Sequence, residues 1–370
     1  MKYNMEIYTP AEDSLLLKSA VEELAFGRVL DMGTGTGILA EAALKRAESV
    51  LGVDINPSAV EYCRQKYISN RISFVESDLF ENITGSFDCI IFNPPYLPTP
   101  KNMRASDVAL DGGKKGYEVI DRFLSEAGRH LNPSGIILLL FSSITGKRKV
   151  DECISNYAFD YVEIKRSPLF FEEIFVYKIT KSKFLVEMES NGIDNIKFFA
   201  KGKRGIIYTG KIGSEKVAIK IKNPSSKAMC SIANEGRMLK ELNKYNIGPR
   251  LIMAKDDFIV YDFIDGCFFE DFVKKSDKDL ILRVLDSVVA QLRKMDSIRI
   301  NKAEMSHPRK HILVEEKTLK VTLIDFERSR KAEKTHNLTQ FAQYLRRIMP
   351  VFYAKGISSR FIEELLKNNS

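Results

Sequence analysis

Short apolar runs alternate with amphipathic windows through the first half of the chain. Val29–Asp31 and Val50–Asp54 each read as a brief buried strand ending on an acid, and Ile38–Ala47 between them has helical spacing. Phe74–Glu76, Cys89–Phe92 and Ile136–Phe141 continue the series, with Glu118–Arg129 as a further helical window. Strands that alternate with helices predict an α/β domain with a parallel, doubly wound sheet. Tyr161–Lys165 and Ile174–Ile179, on either side of Pro168, predict an antiparallel hairpin that closes it. From about Ile193 the pattern changes. Strand-like runs at Ile206–Tyr208, Val217–Ile221 and Phe258–Phe263 surround the helical window Ser231–Leu242, and longer helices such as Asp279–Lys294 follow. That is an α+β pattern, so two domains are expected, 1–182 and 183–370, with the break near Ile179–Asn191.

Length and charge agree with this division. A chain of 370 residues exceeds one ordinary domain. Residues 1–182 carry 21 Lys/Arg against 25 Asp/Glu, whereas residues 183–370 carry 36 against 24. An acidic half joined to a basic half fits separate modules and an anionic partner for the second, RNA or a ribosomal surface among them; a solvated basic face fits equally. The longest apolar run, Ile136–Phe141, is too short to span a bilayer, so no membrane association is expected. The first residues lack the apolar run of a signal peptide, and the five scattered cysteines lack metal-type spacing. A reduced, cytoplasmic protein is the expectation.

Candidate chemistry begins at Asp31-Met-Gly33-Thr-Gly35-Thr-Gly37, a glycine-rich turn between a strand and a helix, where backbone can approach a ligand closely. A dinucleotide site is its first competitor. Asp54 closes the second strand, where a carboxylate can accept both hydroxyls of a ribose, and Asp78 closes the third, where it can accept an adenine amino group. Each acid alone reads equally well as a loop residue or helix cap; three at successive strand ends are harder to dismiss. Asn93-Pro94-Pro95-Tyr96 follows the fourth strand directly. Two prolines fix φ and remove donors, leaving carbonyls free. The Asn93 side-chain oxygen and the Pro94 carbonyl can each accept one hydrogen of a planar NH₂ group, and Tyr96 can wall it in. Such a turn would act mainly by positioning the group it holds.

With these residues in place the first half resembles the HemK-type methyltransferases, which modify the glutamine side chain of peptide chain release factors. Tyr8-Thr-Pro10-Ala-Glu12-Asp13-Ser14 resembles the opening motif of their short archaeal and eukaryotic branch. The resemblance covers residues 3–180. It implies a Rossmann-like class I fold and S-adenosylmethionine as cofactor, lined by Ser14, Asp31, Gly33, Gly35, Asp54, Asp78, Leu79 and Asn93. It also implies catalysis at Asn93, Pro94, Pro95 and Tyr96, a release factor as substrate and a small zinc-ribbon activator subunit. Adenine offers the same planar NH₂, so an N6-adenine methyltransferase on DNA or RNA stays open; the acidic first half and the lack of a base-reading module weigh against it.

In the second half, Gly202-Lys-Arg-Gly205-Ile-Ile-Tyr-Thr-Gly210 and Val217-Ala-Ile-Lys220 resemble the nucleotide-binding hairpin and strand-3 lysine of protein kinases. Glu235 stands where the partner of Lys220 belongs, Val260–Gly266 where the hinge does, and Asp325 in Leu323-Ile-Asp325-Phe326-Glu327 where the magnesium ligand does, with Glu327 replacing glycine. Order and spacing resemble the RIO-type and KEOPS-type small kinases and a family of predicted archaeal kinases. This implies a kinase-like domain that binds ATP and magnesium. The catalytic loop departs from the pattern. If His311 in Glu304–Val314 takes the place of the loop asparagine, Ser306 takes that of the catalytic aspartate, and Glu304 can substitute only in a rearranged loop. Nucleotide binding with little phosphoryl transfer is therefore expected.

Overall fold

The structure, a computed structural model, describes residues 11–95, 116–223 and 232–367. Of the sequence features above, Tyr8–Pro10, Tyr96 and Ser231 lie outside the described residues. The chain divides into two compact units, Met1–Phe198 and Phe199–Ser370.

The first unit begins with α1 (Glu12–Leu24), whose first-turn acids Glu12 and Asp13 complement the helix dipole while Leu17, Ala20 and Val21 are buried. There follow β1 (Gly27–Met32), α2 (Ile38–Ala43), β2 (Ala47–Asp54), α3 (Pro57–Lys66), β3 (Ile72–Glu76), β4 (Phe87–Phe92), α4 (Glu118–His130), β5 (Leu131–Ser142), α5 (Lys147–Asn156), β6 (Phe159–Pro168), β7 (Glu173–Lys181) and α6 (Lys183–Ser190). All seven strands form one sheet in the order β3-β2-β1-β4-β5-β7-β6. The five strands from β3 to β5 are parallel, and β7 runs antiparallel to both β5 and β6. The apolar run in β5 explains its place. Ile136–Phe141 is buried throughout, as a strand covered on both faces must be.

The helix expected over Ile38–Ala47 stops at Ala43, because the chain turns at Lys45–Arg46 and Ala47 already pairs with Gly27 of β1. The hairpin forms as expected, with its second strand set against β5. Lys183–Ser190 falls in the first unit, beyond the break expected at 182.

Strand order reverses between β1 and β4. At such a switch point the loops leave in opposite directions and open a crevice beyond the carboxyl ends of the strands. Register places Asp31 opposite Ile91 and Met32 opposite Phe92, so Gly33 and Asn93 leave the sheet side by side.

A second, five-stranded sheet has the order β11-β12-β10-β9-β8, and the unit boundary at Phe198–Phe199 falls within its edge strand β8. Its strands are β8 (Asp194–Lys201), β9 (Gly205–Ile212), β10 (Glu215–Lys222), β11 (Leu251–Ala254) and β12 (Phe258–Asp262), with α7 (Ile232–Leu242) between β10 and β11. After it come β13 (Cys267–Phe268), α8 (Phe269–Lys275), α9 (Lys278–Ser297), β14 (Ile300–Asn301), β15 (Ile312–Val314), β16 (Val321–Leu323), β17 (Arg330–Lys331) and the helices α10 (Asn337–Arg347), α11 (Met349–Ala354) and α12 (Ser359–Lys367). A buried cluster centred on α9 (Ile281, Val284, Leu285, Val288, Leu292) holds these helices to β15 and β16.

Candidate active site

The glycine turn after β1 is held from beneath by Asp31. Its Oδ2 accepts from Thr34 Oγ1 at 2.7 Å and from the amide of Ala40 in α2 at 3.1 Å, and the residue is 0% exposed. Burial pushes its carboxyl up to about 7. Its Oδ1 is buried without a partner among the described residues. Asp54 holds the turn from the side. Its Oδ2 accepts from Gly35 N at 2.8 Å and its Oδ1 from Asn56 N at 2.9 Å, while burial raises its pKa. Each of these oxygens keeps a lone pair for a hydroxyl. Gly35 has φ +52°, and a Cβ there would meet nothing within 4 Å, so the turn is bare on its outer side. Asp78 pairs with Arg122 of α4 at 2.8 Å, and the adjacent Leu79 is buried in left-handed conformation at φ 50°.

Asn93 leaves β4 with its side-chain nitrogen donating to Asp13 Oδ2 at 3.0 Å. A carboxylate only accepts, so this contact fixes which end of the amide is which. The other end, Asn93 Oδ1, is buried with no donor among the described residues. Asp13 is in turn fastened at Oδ1 by the amide and hydroxyl of Ser14, at 2.6 and 3.3 Å. Residues on α1, the β1 turn, the end of β2 and the end of β4 thus come together at the carboxyl edge of the sheet; Asp78 lies on the same edge, engaged by Arg122.

A bare glycine turn, a strand-end carboxylate with spare lone pairs, a buried unpartnered Asp31 oxygen and an unpartnered amide oxygen fit S-adenosylmethionine beside a nitrogen acceptor. The class this defines is an S-adenosylmethionine-dependent methyltransferase on a Rossmann-like sheet. The family model "methyltransferase small domain" matches residues 12–165. The putative protein N5-glutamine methyltransferase of Methanocaldococcus jannaschii is 41% identical over 182 residues, which cover 48% of this chain and 92% of that protein. Methyltransferase HEMK2 of Mus musculus is 34% identical over 153 residues, covering 36% of this chain and 71% of that one. The release factor glutamine methyltransferase of Deinococcus radiodurans is 38% identical over 143 residues; the chain spans about half of its length, 51%. Among solved structures, the Mtq2–Trm112 complex of E. cuniculi aligns with 30% identity and a TM-score of 0.40, over 48% of this chain and 100% of that one. The chain belongs to the HemK-type methyltransferases. No helix among the described residues is long and apolar enough to cross a membrane.

The second unit gathers a separate ion cluster. Lys220 of β10 lies 2.6 Å from Glu235 of α7 and 2.9 Å from Asp325; Lys220 and Glu235 are buried and Asp325 is partly exposed. Burial alone would lower the Lys220 pKa, but the two carboxylates reverse this and raise it. Burial likewise opposes the Asp325 charge, and Lys220 overcomes it, holding that carboxyl below its usual range. Gly205 faces Lys220 closely, and a Cβ there would stand 3.1 Å from the Lys220 Cε. Gly202 N closes the preceding turn on the Gly205 carbonyl at 2.8 Å. Asp325 has φ 65°, a left-handed conformation that costs a non-glycine residue about 1 kcal/mol or more and persists where surrounding structure enforces it.

Four residues here were assigned no firm part from sequence. Glu327 pairs with Arg204 at 2.7 Å, and carboxylate oxygens of Glu235, Asp325 and Glu327 lie within 4.8 Å of one another. His311 Nδ1 stands 3.6 Å from Asp325 Oδ2, and burial lowers its pKa to about 4, leaving a neutral ring. Lys302, 0% exposed, places Nζ on the Asp325 carbonyl and 3.7 Å from Glu304 Oε2. Ser306 is turned elsewhere, its hydroxyl 3.2 Å from His307 Nδ1. Reading Lys302-Ala-Glu304 as a variant of His-x-Asp would have found this arrangement.

Proposed function

We propose that the first unit methylates the side-chain amide nitrogen of a glutamine in a peptide chain release factor. The observation that carries this reading is the Asn93 amide, oriented by Asp13 so that its buried oxygen is left without a donor among the described residues. Asp54 would hold the ribose, Asp31 and the glycine turn the remainder of the cofactor, and Asp78 with Leu79 the adenine end. Bound S-adenosylmethionine supplies a methyl group already activated on a sulfonium. Asn93 Oδ1 and the Pro94 carbonyl accept the two hydrogens of the incoming amide, which turns its nitrogen out of conjugation and fixes its lone pair. Pro94 is buried and Pro95 half-buried, so the accepting carbonyls sit on a stiff turn with little water to reorganise. Tyr96 would close the amide in. The names of the relatives favour a protein acceptor over the N6 amino group of adenine, which the same pair of acceptors would fit.

Incubating the full chain with labelled cofactor and a class I release factor, then mapping the product by mass, tests this. Label on one glutamine is expected. Label only on an added DNA or RNA adenine would replace the reading by the nucleic-acid one. Full turnover by the chain alone would remove the need for a zinc-ribbon activator.

For the second unit we propose a kinase-like nucleotide site. The triad Lys220, Glu235 and Asp325 supports it, with Lys220 to hold phosphates and Asp325 a magnesium ion. Magnesium-dependent ATP binding, measured by calorimetry and lost in a Lys220→Ala/Asp325→Ala double variant, is expected; a full chain with no such binding would sink this part.

A further inference from the structure

We infer that the second unit transfers a phosphoryl group and that Glu304 is its general base, an inference that rests on the kinase-like reading above. The anchor is Lys302. An ammonium buried this deeply is costly unless paired, and its partners are the Asp325 carbonyl and the Glu304 carboxylate. Lys302 therefore ties the segment 302–304 to the residue that would hold the metal ion of the nucleotide.

Glu304 follows the anchor by two residues, the separation of the histidine and aspartate in His-x-Asp. Its side chain is 14% exposed, and its Oε2 accepts no hydrogen bond among the described residues. That leaves a buried carboxylate oxygen with lone pairs to spare, joined to Asp325 through Lys302, which also bonds the Asp325 carbonyl. From Glu304 to His311 the chain runs seven residues where the kinase pattern has five. The excess is absorbed locally. The amide of His307 bonds back to the Glu304 carbonyl at 2.9 Å, and Pro308–Lys310 forms one tight helical turn. Aligning the loop from its far end puts Ser306 in the place of the base; aligning it from Lys302 puts Glu304 there.

The other acids of the cluster are already engaged. Glu235 is held by Lys220 and by the amide of Phe326 at 3.1 Å, Asp325 by Lys220, and Glu327 by Arg204 with Lys220 3.9 Å away. Glu304 has looser neighbours, Lys302 at 3.7 Å and the half-exposed Arg328 at 3.5 Å.

In the transfer, Glu304 takes the proton of an acceptor hydroxyl as that oxygen bonds to the terminal phosphorus of ATP. The bond from this phosphorus to the bridging oxygen breaks, and its electron pair leaves with ADP. The proton on Glu304 passes to solvent afterwards. Lys310 and Arg328 near this loop are open to solvent, and Arg309, also exposed, is paired with Glu270 at 3.0 Å; the acceptor hydroxyl is therefore one carried on an acidic stretch of polypeptide.

The test uses the full chain with magnesium and terminally labelled ATP. Three quantities are measured: label on the chain itself, label on casein as an acidic acceptor, and phosphate released to water. Calorimetry with a non-hydrolysable ATP analogue runs in parallel. Wild type should transfer label. Glu304→Gln should bind the analogue within about threefold of wild type while transfer falls on the order of 10²-fold or more. Ser306→Ala should transfer normally. Analogue binding without label or released phosphate in the wild type overturns the inference, as does undiminished transfer by Glu304→Gln. Absence of analogue binding overturns the kinase-like reading itself.

Discussion

The side-chain nitrogen of Asn93 donates to Asp13 Oδ2 over 3.0 Å, joining the end of β4 to the first turn of α1, and the oxygen of the same amide meets no donor among the described residues. Eighty residues of sequence separate the pair. Asp13 fixes the orientation of the Asn93 amide, so its loss leaves the amide free to present either end.

Asp13→Ala should therefore lower kcat on the order of 10-fold to 10²-fold, with cofactor affinity little changed. Asp13→Asn, whose own oxygen can accept from Asn93, should recover part of the loss. Asn93→Ala should abolish turnover and keep cofactor affinity within about threefold, since it removes the acceptor and leaves the glycine turn intact. Steady-state kinetics beside cofactor calorimetry separate these outcomes; a change confined to KM would remove Asp13 from the positioning role.

Asp54→Ala should weaken cofactor binding by about 1–3 kcal/mol, because buried hydroxyls lose a charged acceptor and Gly35 N loses its partner. Unchanged affinity would mean that the ribose lies elsewhere.

Asp31 has a pH signature. Burial raises its folded pKa from the ordinary value of 3.8 to about 7, so folding favours the protonated form. Its contribution to stability is complete below the unfolded value and is lost as pH rises through about 7. Urea midpoints for wild type and Asp31→Asn should converge near pH 4 and separate by pH 7, the asparagine variant being the more stable in the absence of cofactor. Parallel curves would refute the assignment.

Lys220→Met should destabilise the second unit by about 3–5 kcal/mol, since Glu235 would keep a buried charge with its partner gone. Pairing it with Glu235→Gln should recover much of that loss in a urea titration. Additive losses would show that the two residues do not depend on each other.

The alternation of parallel strands and helices, with acids at the strand ends, was legible because it rests on short-range pattern. An apolar run closing on an acid, then glycines, then a helical window is a local signature, and β1, β2 and their acids follow it. Asp78 shows where such reading stops. The acid is visible in sequence, but the arginine that takes it, Arg122, lies on another helix and is set by packing. Asp13 read as an element of an opening motif and a helix-dipole acid; its hold on Asn93 exists only once α1 is laid against the sheet.

β7 lies between β5 and β6, although it follows both in the chain. The last strand made is thus an interior strand, and the sheet stays open until residue 181 has been laid down. For gene fusion this creates a one-sided rule. A cut before β7 would remove the strand that joins β6 to the rest, whereas a new domain added after it leaves every backbone ladder of the sheet complete. An ancestral enzyme of this topology could acquire an appended module behind β7 in a single event, with no need to rebuild its fold.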